Sequence, residues 1–103
     1  MAQRFPQNAN IVAASGNYYA GLGDWRSAQK AYFEAYSLQP TNPNFAFNLA
    51  VALDKLEKYK PAASFYNQTL QLIRDGKILN TATAIDIAAI HARIAQLEHV
   101  HAR

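Results

Sequence analysis

Apolar and small residues recur along this chain at spacings of three and four, in blocks separated by turn-forming residues. From Asn8 to Leu22 the positions Val12, Ser15, Gly16, Tyr19 and Leu22 keep this spacing, which predicts a helix with Asn8 or Asn10 as its N-cap. Gly23 suits the left-handed close of that helix, and Asp24 suits the cap of the next. A second helix is predicted from about Trp25 to Leu38, burying Trp25, Ala28, Ala31, Tyr32 and Ala35, with Pro40 as its stop. Thr41-Asn42-Pro43-Asn44 is a capping turn with a proline suited to a helix start. The third helix then runs to about Leu56 with Ala46, Leu49, Ala50, Leu53 and Leu56 on one stripe. Glu57-Lys58 follows it. A side chain in a left-handed turn costs about 1 kcal/mol, so a slightly altered turn is expected there.

A fourth helix is predicted from about Lys60 to Arg74 or Asp75, with Pro61 in its first turn and Gly76 as its stop. Lys77 to Asn80 reads as a linker. Thr83-x-x-Asp86 has the form of a capping box, and Asn80 or Thr81 offers an earlier start. The last helix, over residues 81–100, sets Ile87, Ile90, Ile94 and Leu97 on one face. The pattern is all-α: five helices, antiparallel neighbours joined by short turns.

The blocks also repeat. Residues 6–42 laid on 40–76 give identities at Pro6/Pro40, Asn8/Asn42, Asn10/Asn44, Leu22/Leu56, Ala28/Ala62, Tyr32/Tyr66 and Leu38/Leu72. Trp25/Tyr59 and Arg26/Lys60 are conservative pairs. Two unrelated amphipathic helices would not also align the turn, the alanines and the tyrosine four residues after each. A period of about 34 residues is the mark of a helical repeat.

These residues resemble the tetratricopeptide repeat (TPR) family. The matching positions are Val12, Ser15-Gly16, Tyr19, Ala28, Tyr32, Ala35 and Pro40 in the first copy. In the second they are Ala46, Leu49-Ala50, Leu53, Ala62, Tyr66, Thr69 and Arg74, so that copy lacks the last small residue and the proline. Ile87, Ile90-His91 and Ile94 fit the first helix of a third copy. The resemblance implies a right-handed α-solenoid of antiparallel helix pairs in a single domain over 1–103. Its parts are one repeat over 8–40, one over 42–76 and a capping helix over 81–100. In such a stack Gly16 and Ala28 are expected to face each other, and Tyr19, Trp25, Tyr32 and Tyr66 to fill the space between layers. One repeat cannot cover its own apolar face, so a neighbour must.

The family's first helices line a concave groove for a peptide or partner helix. The resemblance carries that role onto Asn10, Ala13, Asn17 and Ala20, then Asn44, Phe47, Asn48, Val51 and Asp54, then Ile85, Ala88 and Ala92. Each set forms a helical stripe separate from the core stripe. Phe47, Val51 and Ile85 would accept apolar side chains, while Asn17 and Asn48 would fix the partner's backbone. Family members that grip a C-terminal carboxylate use cations where this chain has Ala13, Ile85 and Ala89, so that binding mode is not expected.

Composition adds mainly exclusions. Half the residues are apolar and 17% are charged, as in a globular domain. With no cysteine there is no disulfide, thiolate metal site or Cys nucleophile. The net charge of +3 comes from dispersed residues, without the density of a nucleic-acid or lipid patch. No apolar run approaches the roughly 20 residues of a membrane span, and the first residues do not read as a signal peptide. A soluble chain, cytoplasmic or periplasmic, is expected, with no direct membrane insertion. His91, His99 and His101 lack metal-ligand spacing. No phosphate loop or catalytic triad order occurs, so no cofactor and no enzyme activity are expected.

The expected function is a non-catalytic protein-protein interaction module or scaffold. The run Asn44-Phe45-Ala46-Phe47-Asn48-Leu49-Ala50 is similar to repeat domains of bacterial pilus-assembly (type IV pilus) and secretion proteins. A second expectation is a self-associating or structural segment of a longer array, because Arg4-Phe5-Pro6-Gln7-Asn8 lines up with Leu38-Gln39-Pro40-Thr41-Asn42. That would make the chain a possible fragment and a possible homo-oligomer. An RNA- or anion-binding repeat ranks below both, and no nucleic acid is expected.

Overall fold

The computed structural model describes residues 8–76 and 85–101. These residues form five helices and no strand: α1 (Ala9–Gly21), α2 (Trp25–Leu38), α3 (Pro43–Lys55), α4 (Tyr59–Arg74) and α5 (Ile87–His101). Each helix packs on the next in chain order, which makes a helical solenoid of two hairpins followed by α5.

Side-chain caps explain where most helices begin. Asn8, not Asn10, caps α1: its Oδ1 accepts the Asn10 and Ile11 N–H groups at 2.9 and 3.3 Å. Asp24 Oδ1 accepts the Ser27 N–H at 3.1 Å, and Asn42 Oδ1 accepts the Asn44 N–H at 2.9 Å. Each bond satisfies a donor that the helix itself leaves free. The fifth helix begins later than its polar residues suggest. Asp86 is itself the cap, accepting the Ala89 N–H at 3.0 Å, so Ile85 and Asp86 precede the helix. Asn80, Thr81 and Thr83 lie outside the described residues.

The turn at Glu57 is not altered. Its bonds, Glu57 N–H to Asp54 O and Lys58 N–H to Leu53 O, both 2.9 Å, repeat those from Gly23 to Ala20 and from Asp24 to Tyr19 in the first hairpin. Glu57 takes the left-handed conformation itself, at φ 63°, where Gly23 has φ 79°. Two carbonyls of α3 are satisfied this way, and those bonds outweigh the strain on one residue. Loss of the proline at position 74 lets α4 run to Arg74, whereas α2 stops at Leu38, two residues before Pro40.

The main core joins Ala28 and Tyr32 of α2, Leu49, Ala50, Ala52 and Leu53 of α3, Ala62, Tyr66 and Leu70 of α4, and Ile90, Ile94 and Leu97 of α5. A smaller cluster joins Ala9 and Ala13 to Ala35 and Phe45. Thr69 fills the place that Ala35 holds in the first repeat. It is fully buried, and its hydroxyl is satisfied by the Phe65 carbonyl at 2.8 Å.

One core expectation is extended and another corrected. Gly16 packs beneath Tyr32: a Cβ at Gly16 would lie 2.5 Å from Tyr32 ring carbons. The ring one turn beyond Ala28 therefore takes up the space that the glycine leaves. Tyr32 and Tyr66 do fill the interlayer space and Trp25 is half-buried against it, but Tyr19 is 37% exposed. Leu22 and Ile87 are also exposed. Tyr19 shows why: its counterpart 34 residues on, Leu53, lies in the core with residues of α2, while no described helix covers Tyr19 from that side.

Opposite effects follow for two glycines in one helix. Gly16→Ala should destabilise by about 1–3 kcal/mol through overpacking, because Tyr32 is held at both ring and hydroxyl. Gly21→Ala, with nothing within 4 Å of the added methyl, should stabilise by about 0.5–1 kcal/mol. Urea denaturation of both variants checks the pair of signs. Glu57→Gly should raise stability by about 1 kcal/mol in the same assay.

Candidate functional site

A cleft of about 590 Å³ opens between α3, α4 and α5. Phe47, Val51, Asp54 and Lys55 reach it from α3, Glu57 from the turn, and Tyr59 and Tyr66 from α4. Ala89, Ile90 and Arg93 come from α5, with Asp86 at its cap. Its apolar wall is partly aromatic. The Phe47 and Tyr66 rings lie tilted with centroids 6.2 Å apart.

A charged network stands at its centre. Arg93 Nη2 meets Asp54 Oδ1 at 2.6 Å, and Arg93 Nε meets Asp54 Oδ2 at 2.7 Å, a two-pronged pair across 39 residues of sequence. The Tyr66 hydroxyl donates to Asp54 Oδ2 at 2.9 Å, and Arg93 Nη1 donates to Gln96 Oε1 at 2.8 Å. Arg93 beside it holds the Asp54 carboxyl below its ordinary range, against the opposing effect of burial. Burial, then the Asp54 carboxylate, push the Tyr66 hydroxyl far above the usual tyrosine range. The hydrogen bond to Asp54 raises Arg93 further, against the opposing effect of burial. Lys55 lies over Trp25, its Nζ 5.7 Å from the ring centroid.

The structure gathers some of the expected groove residues and places others elsewhere. Phe47, Val51 and Asp54 line the cleft together. Asn10 and Asn17 are exposed on α1, while Asn44 and Asn48 are half-buried on α3. Ala13 is buried with Ala35 and Phe45, so it offers a ligand no surface. Asn17 is partly spent, because its Oδ1 accepts the Tyr32 hydroxyl at 2.6 Å. The Oδ1 atom of Asn44 is buried without a hydrogen-bond partner among the described residues. Asp54 is a member of an ion pair rather than a free groove acid.

The expected Ile85, just before α5, and Ala88, on it, do not line the cleft; Ala89, Ile90 and Arg93 of α5 line it instead. Ile85 is half-buried against the core, and Ala88 and Ala92 are exposed. The phase of α5 is set by Ile90, Ile94 and Leu97 turning inward. Arg93 continues the stripe of Ile85 and Ala89 by one more step of four residues, a spacing visible in the sequence. Tyr66 could be found only as a core residue, since its second role depends on where its hydroxyl points. His91 and His99 are exposed on α5, and among the described residues no three His, Cys, Asp or Glu side chains converge on a metal site. No described helix is long and apolar enough to cross a membrane.

No family model matches the chain. In sequence it is similar to a TPR repeat-containing protein of Methanocaldococcus jannaschii, 41% identical over 56 residues, which cover 54% of this chain and 10% of that protein. In structure it is similar to the first TPR of Spaghetti (RPAP3) bound to the HSP90 peptide SRMEEVD, with a TM-score of 0.63 and 30% identity. That match covers 68% of this chain and 56% of the other. The chain thus spans about a tenth of the archaeal protein and just over half of the solved domain. Both similarities support the TPR resemblance, and the fold is that of TPR-like helical repeats.

The ion pair makes an acid-sensitive tie between α3 and α5. Its stabilisation is fully present above the ordinary carboxyl value of 3.8 and is lost as pH falls through the lower folded-state value. Amide protection in α5, measured against the intrinsic exchange rate at each pH, should therefore fall in strong acid. Asp54→Asn should exchange faster at neutral pH and lose its part of the acid dependence. The part from Asp24, whose carboxyl is also lowered by its bonds to Ser27, should persist.

Proposed function

We propose that this chain is a TPR-type, non-catalytic interaction module whose cleft between α3, α4 and α5 receives an apolar side chain of a partner peptide or helix. The observation that carries the reading is Phe47. It stands half-buried on α3, against Tyr66 and beside Val51 and Ile90, at the wall of an open space large enough for a bulky side chain. Aromatic residues in partly enclosed apolar sites are the usual anchors of protein recognition. The exposed amide of Asn17 and the half-buried amide of Asn48 extend the surface along the first helices, where an extended segment would find hydrogen-bond partners.

The structural neighbour holds a peptide of HSP90, which supports a peptide partner for this chain as well. Its acidic ligand does not transfer with it. The places where cations would grip a carboxylate hold the buried Ala13, the half-buried Ile85 and the exposed Ala89. A bacterial pilus or secretion setting gains nothing from the comparisons, since the curated relative is archaeal.

A second reading, a self-associating or array-forming segment, rests on α1. Ile11 and Tyr19 are 67% and 37% exposed, whereas their counterparts Phe45 and Leu53 are 4% and 5% exposed. A separate cleft of about 480 Å³ lies beside them, between α1 and α2. Light scattering tests this reading, and a monomer at every concentration would count against it.

For the leading reading, isothermal titration of candidate partner peptides should show Phe47→Ala weakening binding by about 2 kcal/mol, or roughly thirtyfold. Equal affinities for both proteins would remove the groove assignment.

A further inference from the structure

The charges around the cleft do not cancel. Two cations, Lys55 and Arg93, face three carboxylates, Asp54, Glu57 and Asp86. Arg93 is not held open for a ligand, and the exposed Lys55 can balance only one of the remaining carboxylates. All three guanidinium nitrogens of Arg93 are engaged, Nε and Nη2 by Asp54 and Nη1 by Gln96. Lys55 lies against Trp25. At the mouth remain Glu57, exposed in its turn, and Asp86, exposed at the start of α5. Among the described residues neither carboxylate has a salt-bridge partner.

Resting on the proposed groove, we infer that Asp54 is a specificity-determining residue: by occupying Arg93 it turns the cleft away from acidic peptides and toward an apolar side chain flanked by lysine or arginine. The floor beneath Phe47, Val51 and Ile90 takes the apolar group, and Glu57 and Asp86 meet the flanking cation. An acidic segment would have to compete with a two-pronged carboxylate for Arg93 while passing two carboxylates that form no salt bridge among the described residues. Like-charge juxtaposition of this kind suppresses wrong partners, and attraction of a cation adds to the discrimination. Asp54 is held in place by Tyr66 as well as by Arg93, so the charge arrangement exists before any ligand arrives.

The experiment uses the full chain and three dye-labelled peptides of equal length with blocked ends. Each carries a central phenylalanine, flanked by lysines, glutamines or glutamates, and binding is read by fluorescence anisotropy at low salt. The wild type should bind the lysine peptide at least about tenfold more tightly than the glutamate peptide, with glutamine between, and the gap should shrink in high salt. Asp54→Asn keeps an oxygen for the Tyr66 hydroxyl and frees Arg93. It should gain about tenfold for the glutamate peptide and little for the glutamine peptide. Glu57→Gln, on the exposed turn and outside the core, should weaken only the lysine peptide, which gives a second readout if Asp54→Asn folds poorly. Equal binding of the lysine and glutamate peptides by wild type would overturn the charge selection while leaving the groove standing. Failure of all three peptides to bind, or binding unaffected by Phe47→Ala, would overturn the groove reading and this inference with it.

Discussion

A buried tyrosine must find an acceptor for its hydroxyl, and in this protein that requirement joins the core to the surface. Tyr32 and Tyr66 hold equivalent positions in the two repeats, each 5% exposed, with rings that fill the space between helices. Apolar burial fixes the ring, but an unpaired hydroxyl would offset much of the gain. Each hydroxyl therefore reaches a polar residue on the first helix of its own hairpin: Asn17 for Tyr32 and Asp54 for Tyr66. In the first hairpin the ring also needs a glycine below it, and Gly16 supplies the room. The tyrosines thus set the helix spacing and, with the same atoms, use up hydrogen-bonding capacity at the surface.

The two repeats put that capacity to different uses. Asn17 is neutral, and the bond to Tyr32 leaves its amide nitrogen exposed to other partners. Asp54 is charged, so it draws in Arg93 from α5 and ties the last helix to the second hairpin. An exposed ion pair contributes little to stability. This one is better placed, since the Asp54 side chain is only 13% exposed and the contact is two-pronged. Its larger consequence is electrostatic: Arg93 is neutralised at the cleft, and the unbalanced charge there is negative.

The structure also shows how far repeated sequence maintains repeated geometry. Glu57 adopts the left-handed turn that Gly23 adopts with ease, because the backbone bonds closing α3 are the same as those closing α1. Thr69 fits where Ala35 fits because the helix supplies a carbonyl for its hydroxyl. Position 74 is tolerant in another way, since a missing proline only lengthens α4. Such substitutions change local cost without changing the stack, as expected when each repeat needs only complementary neighbours.

By itself the sequence determined the all-α class, four of the helix spans to within about two residues, the 34-residue repeat, and the stripe of α3 that carries Phe47 and Val51, which in the structure line the cleft. These follow from local rules: spacing of three and four, capping side chains, and breakers such as Gly23 and Pro40. The tertiary structure decided which polar residues remain available. That Ala13 is covered, that Asn17 and Asp54 are engaged by tyrosines, and that Arg93 belongs to the cleft depend on contacts up to 39 residues apart. A helical stripe gives the direction of a side chain from its own helix. What stands opposite that side chain is set by how neighbouring helices pack, and at this cleft that decides whether a charge is free or spent.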